Sequence, residues 1–265
     1  MYYLLLQFET KKSIIKNGGF MENVYDNPSF FEQYQELRGQ EINANNLIEI
    51  PIIKSMLPEL AGKTILDLGC GAGNMDKYFL EKGAKSVLGV DISQNMINEA
   101  NKNVASENAE FRVLKMEDIS SINQKFDIVY SSLAFHYVED MDKLLADIYN
   151  LLNKGGVVVY SQECPLATAP IYIGDNAEKK ININGKQYFL ISDFANEGVR
   201  NNYWNGVPVT KYHRTYITLI KLFLKNNFKI IDMKDSFVTE ETIKICEKYK
   251  NQKDRPYFTF FKLQK

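Results

Sequence analysis

Apolar positions along this chain follow two periods in turn. Short apolar runs at Thr64–Leu68, Ser86–Asp91, Glu110–Leu114, Phe126–Ser131 and Gly156–Ser161 read as buried strands. Between them, Asn74–Lys82, Gln94–Val104 and Met141–Leu152 carry apolar residues at helical spacing. The alternation predicts a parallel sheet with helices on both faces. A helix at Tyr216–Asn226 and strands at Phe228–Asp232 and Tyr257–Leu263 complete a seven-stranded, mostly parallel α/β sheet. Ligands in such sheets bind beyond the carboxyl ends of the strands, where the strand order reverses.

The flanking segments break this rhythm. Asn27 or Ser29 is placed to cap a helix through Arg38. A second helix is predicted over Asn43–Met56, broken by Pro51 and closed by Pro58. Lys154-Gly155-Gly156 reads as a left-handed cap on the preceding helix. After the fifth strand, Cys164 to Val209 is too long for an ordinary connection. It holds a hairpin signal, Ile181 to Phe189, with Asn184-Gly185 at the turn. Residues 1–20 have no clear period, and their codons near Asn17-Gly18-Gly19-Phe20 accommodate a ribosome-binding sequence before Met21. We therefore expect Met21 to be the start. The resulting division is an extension (1–20), an N-terminal helical cover (21–60), a ligand-binding core (61–162), an insert acting as a lid (163–210) and the end of the core sheet (211–265).

Composition narrows the class. Apolar content of 45% and charge of 25% are those of a globular chain with a sizeable core. A net charge of −1 argues against a nucleic-acid or membrane-surface partner. No apolar run approaches the roughly 18 residues of a membrane span. Cys70, Cys164 and Cys246 follow no disulfide or metal spacing, which fits a reducing cytoplasm and no metal site.

The chemistry concentrates at Asp67-Leu68-Gly69-Cys70-Gly71-Ala72-Gly73, between the first strand and the first helix of the core. Glycines there admit positive φ and let a ligand approach the backbone. The free N–H groups of the following helix favour an anionic group. A dinucleotide site wants G-x-G-x-x-G, but here Asn74 stands at the last position and Asp67 precedes the glycines. With Gly89-Val90-Asp91-Ile92-Ser93, this pattern resembles class I S-adenosylmethionine (SAM) dependent methyltransferases. The resemblance implies a Rossmann-like sheet, SAM as cofactor and S-adenosylhomocysteine as its product.

Several roles follow. Asp91 ends the second strand, where a carboxylate accepts both hydroxyls of a ribose; Ile92 presses on adenine, and Ser93 caps the next helix, which carries Met96. The resemblance implies that the Met116-Glu117-Asp118 loop binds the adenine amine, and that Asp67, Gly69, Cys70, Gly71, Gly73 and Ser131 border the cofactor. It also implies that an N-terminal helix bearing Tyr25, Tyr34 and Arg38 covers the site; Arg38 suits a carboxylate. Ser131-Ser132-Leu133-Ala134-Phe135-His136-Tyr137 follows the fourth strand, where the methyl acceptor meets the cofactor. It lacks the [DN]-P-P-[YFW] of enzymes that methylate base amines and is similar to the type 11 small-molecule group. Together with Tyr34-Gln35-Glu36-Leu37-Arg38 and Tyr212-His213-Arg214-Thr215, it resembles one bacterial subgroup, whose E-H-P is Glu163-Cys164-Pro165 here.

Methyl transfer from SAM needs positioning above all, and a base only where the acceptor must lose a proton. The chain has two histidines, His136 and His213, both candidates for that role. Tyr137, Tyr203, Trp204 and Tyr212 are candidates for an aromatic cage around the substrate, and Arg214 for an anion partner. The expected reading is methylation of a nitrogen or oxygen on a small molecule. Alternatives are methylation of a carrier-bound acyl carboxylate, or a SAM-binding regulator without turnover.

Overall fold

The computed structural model describes residues 24–26, 31–32, 36, 42–171, 180–204, 207–253 and 255–265. The extension 1–20, the expected start at Met21, and Tyr34 and Arg38 all lie outside them. A π-helical turn, Asn45–Glu49, leads into α1 (Ile50–Met56). Pro51 falls in the first turn of α1, where its missing N–H has no intrahelical partner to lose, so it starts this helix instead of breaking one.

Five strands then pair in parallel: β1 (Thr64–Leu68), β2 (Ser86–Asp91), β3 (Ala109–Val113), β4 (Phe126–Ser132) and β5 (Leu152–Glu163). They alternate with α2 (Asn74–Glu81), α3 (Gln94–Asn103) and α4 (Met141–Leu151). A short α5 (Pro165–Thr168) leads to the two-stranded ribbons β6 (Lys180–Ile183) with β7 (Lys186–Phe189), and β8 (Gly198–Trp204) with β9 (Val207–His213). The chain closes with α6 (Tyr216–Lys225), β10 (Lys229–Asp235), α7 (Glu240–Ile245) and β11 (Phe258–Gln264). The seven-stranded sheet runs β10-β11-β5-β4-β1-β2-β3, with β11 antiparallel to both its neighbours. This is the Rossmann-like α/β fold expected from the sequence. The order reverses between β1 and β4, so the binding edge lies where Leu68, Asp91, Ser132 and Glu163 end their strands.

Side-chain alternation splits the core into two layers. Leu66, Leu68, Leu88, Val90, Val129 and Val158 pack on α4 and α6 through Leu144, Ile148, Leu219 and Phe223. Ile65, Val87, Ile128, Tyr130 and Val159 face α1 and α2 through Ile53, Met56, Met75 and Phe79. Asp67 is two residues on from Ile65, so its carboxyl enters the second layer at an otherwise apolar position and is 2% exposed.

The glycines after α4 are not a helix cap. α4 ends at Leu151, and Leu152 already pairs with Phe126. Gly155, at φ +77°, lies where the register jumps to Ile128 opposite Val157, so its left-handed backbone serves a bulge in β5. The Asn184-Gly185 turn has φ of +52° and +80°, the paired positive values of a type I′ hairpin. The β8–β9 ribbon carries the same Asn-Gly pair in sequence, Asn205-Gly206 between Trp204 and Val207, a turn signal that sequence reasoning missed.

Candidate functional site

The glycine loop hangs from the end of β2. Gly69 and Cys70 donate their N–H groups to Val90 O at 2.8 and 3.0 Å. Asp91 Oδ2 accepts from the Gly71 N–H at 3.0 Å, and its Oδ1 accepts from the Ser93 N–H at 2.9 Å. Burial raises the Asp91 pKa, while these backbone donors favour its charged form. A carboxylate holds about four acceptor positions, so Asp91, with backbone donors from Gly71, Ser93 and Ile92, keeps capacity for a donor from the cavity it lines. A Cβ on Gly69 would stand 2.8 Å from the Ala134 Cβ, so β1 and the turn after β4 meet only because it is glycine. Gly71, at φ +54°, has nothing within 4 Å of that position: its missing Cβ opens onto free space.

That space is a cavity of about 1520 Å³ along the carboxyl edge of the sheet. Gly69, Gly71, Asp91, Ile92 and Met96 wall one part, and Met116, Glu117 and Asp118 continue it beyond β3. Ser93 caps α3, accepting from the Met96 N–H at 3.2 Å, and donates its hydroxyl to Asp26 at 2.6 Å. The second bond brings the 3₁₀ turn Val24–Asp26 onto α3 and Tyr25 onto the cavity wall.

Behind the glycine loop, Asp67 and Asp76 form a buried carboxyl pair. Burial, then the charge of Asp76, holds the Asp67 pKa well above the carboxylate range. Burial also lifts Asp76, to about 7. Asp67 Oδ1 and both oxygens of Asp76 have no hydrogen-bond partner among the described residues. Unpaired buried carboxyls beneath an anion-binding loop suit a ligand that brings positive charge. The pair lies behind the cavity wall, so the fit to SAM rests on Asp91 and on the space left open at Gly71, both of which border the cavity.

The other end of the cavity lies over β4 and β5. Leu133 takes φ +52°, rare for a leucine, with its N–H donating to Ser161 O. The chain then turns through the 3₁₀ helix Phe135–Tyr137. His136 and Tyr137 line the cavity with Glu163 and, from β9, Lys211 and Tyr212. Lys211 donates to Glu163 Oε1, and the Tyr212 hydroxyl donates to Glu139 at 3.3 Å. Burial pushes His136 down to about 4, with Glu163 partly opposing and Lys211 and Arg214 adding to it. Burial alone would raise Glu163, but Lys211 and His136 outweigh it, and its pKa lies below the ordinary range.

Other predicted residues sit elsewhere. His213 is off the cavity wall and fully buried: Nδ1 meets the Thr168 hydroxyl at 2.8 Å and Nε2 meets Phe194 O at 2.9 Å, so both nitrogens already serve the insert. Arg214 is likewise not at the wall; it donates to the carbonyls of Val138 and Glu139, at 2.7 and 2.5 Å. Glu163 pairs with Lys211 and not with Arg214. Ser131 gives its hydroxyl to Leu68 O at 2.7 Å and ties β4 to β1, leaving the next residue, Ser132, to face the cavity. Asp67, Cys70 and Gly73 lie behind the wall, and burial raises the Cys70 thiol pKa. The backbones of Tyr203 and Trp204 belong to β8, and their side chains are outside the description.

Sequence reasoning missed Glu163 and Lys211 as site residues. Glu163 was findable, since it ends a parallel strand as Asp91 does. Lys211 was not: one lysine among many gains meaning only when β9 folds over the site. Glu49 was also missed. It is fully buried on the π turn, and its Oε1 accepts from Ser132 and Ser161 hydroxyls at 3.0 and 2.7 Å, anchoring the N-terminal cover to the sheet edge.

Among the described residues no group of three or more His, Cys, Asp or Glu could hold a metal ion, and no helix is long and apolar enough to cross a membrane. A family model described as a methyltransferase domain matches residues 66–160. A structure of a SAM-dependent methyltransferase from Mesorhizobium loti superposes with a TM-score of 0.75 at 30% identity, covering 86% of this chain and 100% of that one. An uncharacterised protein of Haemophilus influenzae is 35% identical over 249 residues, 92% of this chain and 97% of its own. A malonyl-[acyl-carrier protein] O-methyltransferase of Hamiltonella defensa is 28% identical over 106 residues, 40% of each chain.

Proposed function

The chain belongs to the SAM-dependent methyltransferases, and from that premise we propose that it methylates a nitrogen or oxygen of a small molecule. SAM supplies a methyl carbon already activated by positive sulfur. The observation that carries the reading is the single cavity joining the glycine loop and Asp91 to the aromatic wall of Tyr137 and Tyr212. Its volume accommodates a nucleoside-sized cofactor with a second molecule beside it.

On this reading, Asp91 receives the ribose hydroxyls, Ile92 and Met96 cover the base, and the Met116–Asp118 turn borders it. Tyr25, Tyr137 and Tyr212 wall the acceptor. The segment 163–210, with β9 running on to His213, is the lid. It is tied down at consecutive positions, Lys211 to Glu163 at the end of β5, Tyr212 to Glu139 and Arg214 to the Val138–Glu139 carbonyls, while His213 to Thr168 braces the lid within itself. Such ties hold an acceptor in line and keep water out.

The test is incubation with methyl-labelled SAM and a mixture of primary amines, phenols and carboxylic acids, with labelled products read by mass spectrometry. A labelled product that requires the intact lid supports the reading. SAM binding without a product from any of these classes favours a regulator.

A further inference from the structure

His136, Glu163 and Lys211 meet where β4 and β5 reach the cavity. Strand order places this trio on the far side of the glycine loop from Asp91 and the Met116–Asp118 turn, so a ligand held by those leaves the β4–β5 side to the acceptor. The Glu163 N–H points at His136 Nδ1, 3.3 Å away. A backbone amide has a proton to give and no lone pair to offer, so Nδ1 must be the acceptor. A neutral imidazole carries one proton, which then resides on Nε2. The ring is 3% exposed and stays neutral at physiological pH, because burial pushes its pKa to about 4. Nε2 stands 3.9 Å from Glu163 Oε1, beyond hydrogen-bond length. With Nδ1 held by the backbone and Nε2 protonated, His136 has no lone pair to take a substrate proton.

Glu163 is differently placed. Its Oε1 takes the Lys211 ammonium, and the side chain keeps 27% of its surface exposed while lining the cavity. Lys211 lies 5.8 Å from the Tyr137 ring centre, and that ring lies 4.3 Å from His136, so the trio and its aromatic neighbour pack as one unit. The charged groups facing His136 are Glu163 from β5, Lys211 from β9 and Arg214 just after it.

The geometry points to Glu163, not His136, as the group that accepts a hydrogen bond from the methyl acceptor, with Lys211 holding it as a carboxylate. The acceptor therefore carries an N–H or O–H, whose bond to Glu163 aims its lone pair. A second carboxylate is repelled at this position. This rests on the methyltransferase reading for its purpose, but not for its test.

The test begins with the apo protein, uniformly labelled with ¹⁵N and ¹³C. Long-range proton–nitrogen correlation should find His136 with its proton on Nε2 and no titration between about pH 5.5 and 8. His136→Asn identifies its signals. The Glu163 carboxyl carbon should titrate below ordinary glutamate, and upward in Lys211→Met. A proton on His136 Nδ1, titration near an ordinary histidine, or an unmoved Glu163 in Lys211→Met overturns the assignment. In turnover, an N-methyl or ether product that falls about 100-fold in Glu163→Gln, with SAM affinity unchanged, supports it; a methyl ester product overturns the acceptor class. Failure of SAM to bind overturns the methyltransferase reading and leaves the NMR result standing.

Discussion

The two ends of the cavity are built by different means. The cofactor end is local: β1, the glycine loop, α2, the end of β2 and Ser93 all lie between residues 64 and 93. It is held by backbone donors reaching Val90 and Asp91. The acceptor end is assembled from afar. His136 and Glu163 are 27 residues apart, Glu163 and Lys211 are 48 apart, and the ties are side-chain ion pairs and hydrogen bonds. Damage to one end should therefore leave the other in place.

Gly71→Val should break the cofactor end outright. Its Cβ would enter the space the loop keeps open, at a φ that a branched residue resists. Calorimetry should show SAM affinity falling by more than about 100-fold, while the fold loses only about 1–2 kcal/mol of backbone strain.

His213→Ala probes the insert. Removing the ring leaves the Thr168 hydroxyl and the Phe194 carbonyl without their partner in a buried site, at roughly 2–3 kcal/mol of unfolding free energy. Urea unfolding should show that loss, with SAM affinity within about threefold of wild type in the folded protein. A loss of SAM binding there would tie the two ends together.

Asp91→Ala removes a charged acceptor and the anchor of the Gly71 N–H together. SAM should bind about 1–3 kcal/mol more weakly.

Asp76→Asn sharpens the cofactor end through pH. The folded-state pKa of Asp76 is raised from 3.8 to about 7, so the folded state holds a proton that the unfolded chain has released. Its contribution is favourable below the unfolded value and is lost as pH rises through about 7. The substitution should thus stabilise the apo protein by about 1–2 kcal/mol at pH 8 and do nothing near pH 4, read as paired urea midpoints. Greater benefit at the low pH would reverse the sign and refute the buried-pair account.

What could be read from sequence follows the same division. β1 and β2 were legible residue by residue, because parallel strands buried on both faces show as apolar runs with sharp ends. Asp91 and the glycines were legible because their chemistry is contiguous. The β8–β9 ribbon was legible only at its Asn205-Gly206 turn, not along its strands. Its exposed Val199 and buried Arg200 and Lys211 invert the usual pattern: Arg200 serves carbonyls of the insert, and Lys211 serves Glu163. His213 was misread for the same reason. A histidine beside a tyrosine and an arginine suggests a site, and only folding shows both nitrogens engaged. Pro51 and Gly155 were punctuation of the right kind given the wrong place, a helix start and a strand bulge.

The most direct measurement is titration of SAM into three proteins by calorimetry: wild type, Gly71→Val and Lys211→Met. One site per chain with micromolar-scale affinity is predicted in the wild type, loss of binding in Gly71→Val, and affinity within about threefold of wild type in Lys211→Met. Equal weakening in the two variants, or undiminished binding in Gly71→Val, would contradict a cofactor end and an acceptor end that work apart.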